Sequence, residues 1–251
     1  VLMISTGANT KAQGSDAEYF VGELTAEGKF LNDHPAGKVL KTDFGKEFYA
    51  SMSFANMPDE RKVMLAWMTN WDYPFDFPTN PWKGQLTIPR EVSLRTTEKG
   101  VRLVQKPVIE LETLRQNLYS AEQLMVGPQS QNVLKGLTAG AYEIEAEVEI
   151  PADSPVTEFG FHLRQREGQQ TTVGYKTEKE TMFVDRTASG DVGFSSLFTK
   201  VHEAALQPEN RRIKLRIFVD EASVEVFGNE GRMVFSDVIF PDPAGRSMAF
   251  Y

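Results

Sequence analysis

Apolar and polar residues alternate with a period of two along most of this chain, the pattern of strands with one buried and one solvated face. The clearest run covers residues 142–150. There Tyr142, Ile144, Ala146, Val148 and Ile150 share one face and Glu143, Glu145, Glu147 and Glu149 the other. Pro151 and Asp153 stop it. Residues 213–220 and 222–227 form a second clear pair, with Asp220-Glu221 between them as a tight hairpin turn. Residues 228–231 read as another turn, and 233–240 as another strand ended by Pro241. Short strands at this spacing predict an all-β sandwich for the second half. The first half is also β-rich, with strands expected at 1–5, 19–24, 48–54, 63–68 and 86–94 and long loops of Gly, Asn, Asp and Pro between them. Only residues 107–118 read as helical, because Val108, Leu111, Leu114 and Leu118 fit a helical stripe. The domain boundary falls there, near Arg115, dividing the chain into 1–115 and 116–251.

Bulk properties narrow the function. The 251 residues suffice for one large or two ordinary domains. A net charge of −8 argues against a nucleic-acid partner, whose affinity rests on Lys and Arg at phosphates. No run reaches the about 18 apolar residues of a membrane span. Without cysteine there are no disulfides, thiolate nucleophiles or Cys-based zinc sites. His34, His162 and His202 are too scattered for a metal site or a catalytic base. The opening Val1-Leu2-Met3-Ile4-Ser5 resembles the middle of a strand, so the compartment is not legible there.

All three tryptophans lie between residues 67 and 82. The window reads Trp67-Met68-Thr69-Asn70-Trp71-Asp72-Tyr73, then Pro78-Thr79-Asn80-Pro81-Trp82-Lys83-Gly84. Flat rings beside amides and carboxylates suit a sugar: the ring packs on C–H groups while polar groups read hydroxyls. The alternative is that these rings are core of a β-rich domain.

Four segments resemble family 32 of the glycoside hydrolases, the invertase, levanase and inulinase group. Gly14-Ser15 with Glu18-Tyr19-Phe20-Val21-Gly22 resembles the strand after that family's Glu-Cys-Pro motif. Asp43-Phe44-Gly45-Lys46-Glu47-Phe48-Tyr49-Ala50 resembles its Asp-aromatic-Gly-Lys-Asp-Phe-Tyr-Ala segment. Asn70-Trp71-Asp72-Tyr73, the Pro78 to Gly84 stretch and Pro89-Arg90-Glu91 resemble its last propeller blade. Val219-Asp220, Ser223-Val224-Glu225-Val226-Phe227 and Phe240-Pro241 resemble its C-terminal sandwich. The resemblance implies the C-terminal part of a five-bladed β-propeller over 1–115, two to three blades, followed by a β-sandwich over 116–251. It implies a retaining glycosidase that removes terminal β-fructosyl units from levan, inulin or sucrose without a cofactor. In that family an Asp near the propeller's start, the Glu of Glu-Cys-Pro and the Asp of an Arg-Asp-Pro motif carry the chemistry. None of these motifs occurs here, and position puts them upstream of Val1. The chain is therefore expected to be a fragment, inactive alone, whose partner is the missing N-terminal part of the same enzyme. An extracellular location is favoured if the substrate is polymeric fructan.

No catalytic residue is assigned within the chain. Asp43 and Glu47 are the nearest pair by sequence, but four residues along a strand span about 13 Å, against the about 5–5.5 Å of a retaining pair. Four residues are candidates for substrate contact. Trp71 would wall the fructosyl end, or pack within a blade. Asp43 would bind sugar hydroxyls or hold Lys46, or serve as a turn Asp accepting backbone N–H bonds. Tyr49 would line the same wall, or be buried between strands. Trp82 would form an outer platform, or anchor its loop. Asp185-Arg186-Thr187 with Ser189-Gly190 reads as a turn held by an Asp–Arg pair. The rival functions are a non-catalytic fructan-binding module, a fructosyltransferase of the same fold, and a β-rich structural or interaction protein.

Overall fold

The computed structural model describes residues 1–8, 14–198 and 201–251. In the first half β1 (Leu2–Thr6) pairs antiparallel with β2 (Asp16–Phe20), and β3 (Gly22–Leu24) with β4 (Phe30–Asn32). A third sheet holds β5 (Tyr49–Ser53), β6 (Val63–Met68), β7 (Gln85–Leu86), β8 (Arg90–Thr97) and β9 (Gly100–Pro107). Its order is β5-β6-β8-β9, with β7 also on β6. None of these sheets closes on itself. Two expected strands are each divided in two. Val21 interrupts 19–24, and residues 87–89, which include Pro89, interrupt 86–94.

The expected helix over 107–118 is a short 3-10 turn at Ile109–Leu114. Only the start of the stripe is covered: Val108 is buried and Leu111 half-buried, whereas Leu114 is 71% exposed and Leu118 is 90% exposed. A helical stripe with little to pack against gains little from forming, because helices in proteins are stabilised mostly by burying one face.

The second half is a two-sheet sandwich. One sheet has the order β10 (Tyr142–Glu149), β15 (Arg212–Asp220), β16 (Ser223–Gly228), β17 (Met233–Val238). The other has the order β14 (Val201–Ala205), β13 (Thr181–Ala188), β12 (Gln169–Lys176), β11 (Glu158–Arg166), β18 (Ser247–Phe250). Phe161, Leu163, Val173, Tyr175 and Val184 meet Ile213, Leu215, Ile217, Val226 and Phe235 in one core. Each fully buried side chain of this kind contributes about 1.5–3 kcal/mol of transfer free energy. The β15–β16 turn lies one residue later than the sequence suggests, since Asp220 pairs with Ser223 across Glu221-Ala222. The acidic face of β10 stands against basic residues of β15: Glu145 opposite Arg216, Glu147 opposite Lys214 and Glu149 opposite Arg212. Arg115 of the linker joins them through Glu143 and Glu145.

β17 ends its sheet, and the first half covers that edge. Phe44 and Glu47 donate backbone N–H bonds to Val234 O (2.8 Å) and Ser236 O (3.1 Å). Gln105 N–H reaches Gly231 O at 3.0 Å. Gly45 permits the approach, because a Cβ there would stand 2.2 Å from Ser236 O. Covering the edge satisfies backbone groups that would otherwise invite strand pairing.

Candidate functional site

The aromatic wall is built on β5, β6 and the loop that follows β6. Tyr49 of β5 lies directly across from Trp67 of β6, which also faces Leu86 of β7. Trp67 meets Tyr49 edge-on at 6.4 Å between ring centroids, and Trp71 edge-on at 5.1 Å. Trp71 is 54% exposed, while Trp67 and Tyr49 are half-buried. A row of three rings therefore ends in one that offers its surface to solvent. Edge-to-face pairs add about 0.5–1.5 kcal/mol each beyond area burial, which fixes the rings' angles.

The Trp71 loop is anchored from below. Asn70 is fully buried and donates to the carbonyls of Ser15 (3.2 Å) and Lys46 (3.0 Å). Its Oδ1 accepts the N–H groups of Ser15 and Asp72. The Trp71 N–H donates to Ser15 Oγ at 2.9 Å, and Lys46 Nζ stands 3.4 Å from Asp72 Oδ2. Trp82 is 45% exposed and, among the described residues, joins no ring pair. Its carbonyl accepts from Thr79 Oγ1. The structure thus brings Trp71 and Tyr49 together through Trp67, and leaves Trp82 on its own.

Asp43 lies elsewhere, in the buried seam between the halves. Its Oδ1 accepts the N–H of Gly45 (2.9 Å), a turn bond, and that of Ser236 (2.8 Å). Its Oδ2 accepts from Arg90 (2.8 Å) and Ser236 Oγ (2.7 Å). Arg90 is fully buried and also donates to Gln105 (3.0 Å), Glu225 (2.6 Å) and Ser236 Oγ. Its guanidinium sits 4.8 Å from the Phe48 ring and 5.2 Å from that of Phe227. Burial opposes its charge, but the Glu225 and Asp43 carboxylates outweigh burial and hold the group protonated.

A second buried arginine lies on the same seam. Arg186 of β13 grips Glu47 with both ends of its fork, at 2.6 and 3.1 Å, and donates to Val238 O at 2.8 Å. Its guanidinium lies 3.7 Å from the centroid of the Phe198 ring. Glu47 also accepts from Tyr73 Oη (2.5 Å) and the Val238 N–H (2.9 Å). Burial, then the Glu47 charge, pushes the Tyr73 phenol far up, so it stays a neutral donor. Asp237 stands 2.6 Å from His202 and 3.7 Å from Arg186. Burial pushes the Asp237 carboxyl up, and the His202 and Arg186 charges more than reverse this, leaving it below its ordinary value.

Asp43, Glu47 and Glu225 each have an arginine partner inside the protein. None of the three is placed to attack a sugar or to protonate a leaving group. What this arrangement offers a ligand is a rigid aromatic surface. Sequence reading missed the two arginines. The expected turn held by Asp185 and Arg186 is part of β13, and Asp185 accepts the Thr187 N–H at 2.8 Å instead of pairing with Arg186. The signal was the period of two: Arg186 follows Met182 and Val184 on the inward face of β13.

Comparison with known proteins adds a family. Residues 1–107 match the model described as the glycosyl hydrolases family 32 N-terminal domain, and residues 110–251 the glycosyl hydrolases family 32 C terminal. The chain is 64% identical over 251 residues to a levanase of Bacillus sp. (strain L7), covering 100% of this chain and 27% of that protein. It is 32% identical over 248 residues to an extracellular exo-inulinase of Aspergillus awamori, covering 95% of this chain and 45% of that protein. The crystal structure of exo-inulinase from Aspergillus awamori superimposes with a TM-score of 0.78 at 27% identity, over 99% of this chain and 52% of that one. The chain thus spans 27% and 45% of these two relatives' lengths.

Proposed function

From the premise that the chain belongs to family 32 of the glycosyl hydrolases, we propose that it forms part of an enzyme removing terminal β-fructosyl units from fructan or sucrose. Residues 1–115 are the last two to three blades of a five-bladed propeller, and 116–251 its sandwich. Trp71 packs against the apolar face of the fructosyl ring, Tyr49 borders the same wall, and Trp82 offers an outer platform. Retaining hydrolysis needs two carboxyl groups about 5–5.5 Å apart. In this reading they lie on a further part of the polypeptide, the partner that completes the ring. Proton transfer and carboxylate attack need no cofactor. A polymeric substrate favours work outside the cell, as the name of the Aspergillus relative also suggests.

The observation that carries this reading is the half-exposed Trp71, fixed edge-on to Trp67 on the segment that matches the family's N-terminal domain. The test is release of free fructose from levan and inulin by the full polypeptide, with Trp71→Ala beside it. A specificity constant reduced by about tenfold or more supports the wall, the loss of one good packing contact being worth about 1.4 kcal/mol. Unchanged kinetics removes Trp71 from the site. A second reading, a non-catalytic fructan-binding module, draws on the arginine pairing of Asp43, Glu47 and Glu225. Sugar binding without turnover by the full polypeptide would favour it. Longer oligosaccharides formed at high sucrose would mark a fructosyltransferase.

A further inference from the structure

The two buried arginines look alike at first. Both are fully buried, both cross the seam between the halves, and both neutralise carboxylates. Their attachments differ. Arg90 ties residue 43 to β16 and β17 and, among the described residues, makes no hydrogen bond to the loop at 70–73. Arg186 holds Glu47, and Glu47 is bonded to that loop at Tyr73. The residue beside Glu47, Lys46, accepts from Asn70 and approaches Asp72. Residues 70, 72 and 73 are therefore all fastened to the pair 46–47, and Trp71 is the one residue among them that faces solvent.

We propose that Arg186, on the sandwich, is a positioning residue for Trp71, acting through Glu47 and Tyr73 to set the angle of the aromatic wall. This rests on the reading of Trp71 as the sugar-facing wall. The Glu47 carboxylate receives four bonds, two from Arg186 and one each from Tyr73 and Val238, which exhausts its acceptor sites. A bidentate fork fixes orientation as well as charge. Without Arg186 a buried carboxylate would lose its counter-charge and have to move toward water or take up a proton. Movement releases Tyr73, and protonation weakens its bond by removing the acceptor's charge; each slackens one side of the Trp71 loop. The sandwich thereby fixes a binding surface it does not itself contribute to.

The chain's three tryptophans make this measurable. Incorporating 5-fluorotryptophan into the full polypeptide gives fluorine resonances, and Trp71→Phe and Trp82→Phe assign those of Trp71 and Trp82. Tyr73→Phe, which deletes one hydroxyl, and Arg186→Lys, which keeps charge but loses the fork, are expected to shift and broaden or split the Trp71 line and leave Trp82 in place. Arg90→Lys, an equally buried change on the same seam, is expected to lower the unfolding midpoint and leave the Trp71 line where it was. The proposal is overturned if Trp71 is unmoved in either Tyr73→Phe or a folded Arg186→Lys, or moves as far in Arg90→Lys. If Arg186→Lys does not fold, Tyr73→Phe decides alone. Fructose added to the unaltered protein tests the other premise separately: a Trp71 line indifferent to fructose removes the sugar wall and leaves the Arg186 linkage standing.

Discussion

The two halves bury their apolar residues in different ways. The sandwich closes around one large cluster of buried residues drawn mainly from both sheets. The first half has small clusters such as Ala17, Phe48, Met64 and Ala66, and shows Leu2, Met52, Phe54, Leu86 and Leu94 to solvent. One of its clusters, Met68, Tyr73 and Phe77, is completed by Phe198 and Val238 of the second half. The sandwich is therefore held by its own core, whereas the first half leans on it across a seam of two arginine centres. Burial by area tolerates local variation, but a buried ion pair depends on every member being in place.

That contrast breaks most visibly at the seam. Arg186→Met leaves the Glu47 carboxylate buried without its partner, and a loss of about 3–5 kcal/mol is expected. Because all three tryptophans lie in the first half, tryptophan fluorescence should report unfolding at lower urea than far-ultraviolet dichroism. Coincident transitions would show that the halves are not separable in this way. Leu163→Ala in the sandwich core should cost about 2–5 kcal/mol. It should bring both signals down together, since the first half has lost its support.

Acid sharpens the same point. A carboxyl held below its ordinary value stabilises the fold above its unfolded value of 3.8 and loses that contribution as pH falls. Asp237 should therefore help weaken the seam below about pH 4, and Asp237→Asn should flatten that limb in the fluorescence-detected midpoint. An acid limb identical in the variant would remove Asp237 from the account. The smallest effect is expected at the charged face of β10. Glu147→Ala removes an exposed ion pair with Arg212 and should change stability by about 0–1 kcal/mol, with neither signal separated from the other.

Much of this was legible from local pattern. Period-two alternation located β10, β15, β16 and β17, and with them the exposed Glu145, Glu147 and Glu149 of β10; Glu143, expected on the same solvated face, is instead covered by Arg115 and Arg216. The tryptophan window held two of the three rings in that row, Trp67 and Trp71, and the family segments were readable as they stand. The helical stripe at 107–118 misled, since its spacing suited a helix but only Val108 of it is buried, and Leu114 and Leu118 have no surface to receive them.

The sequence by itself determined which residues alternate toward a core, where chains turn, and the family to which the segments belong, because these depend on neighbours a few positions apart. Only the tertiary structure decided what Arg90, Arg186, Asp43 and Glu47 do. Arg186 and Glu47 are 139 residues apart, and nothing in their immediate surroundings names the partner. A charge's role follows from the charge it meets after burial, and that meeting is settled by how two sheets pack rather than by either one alone.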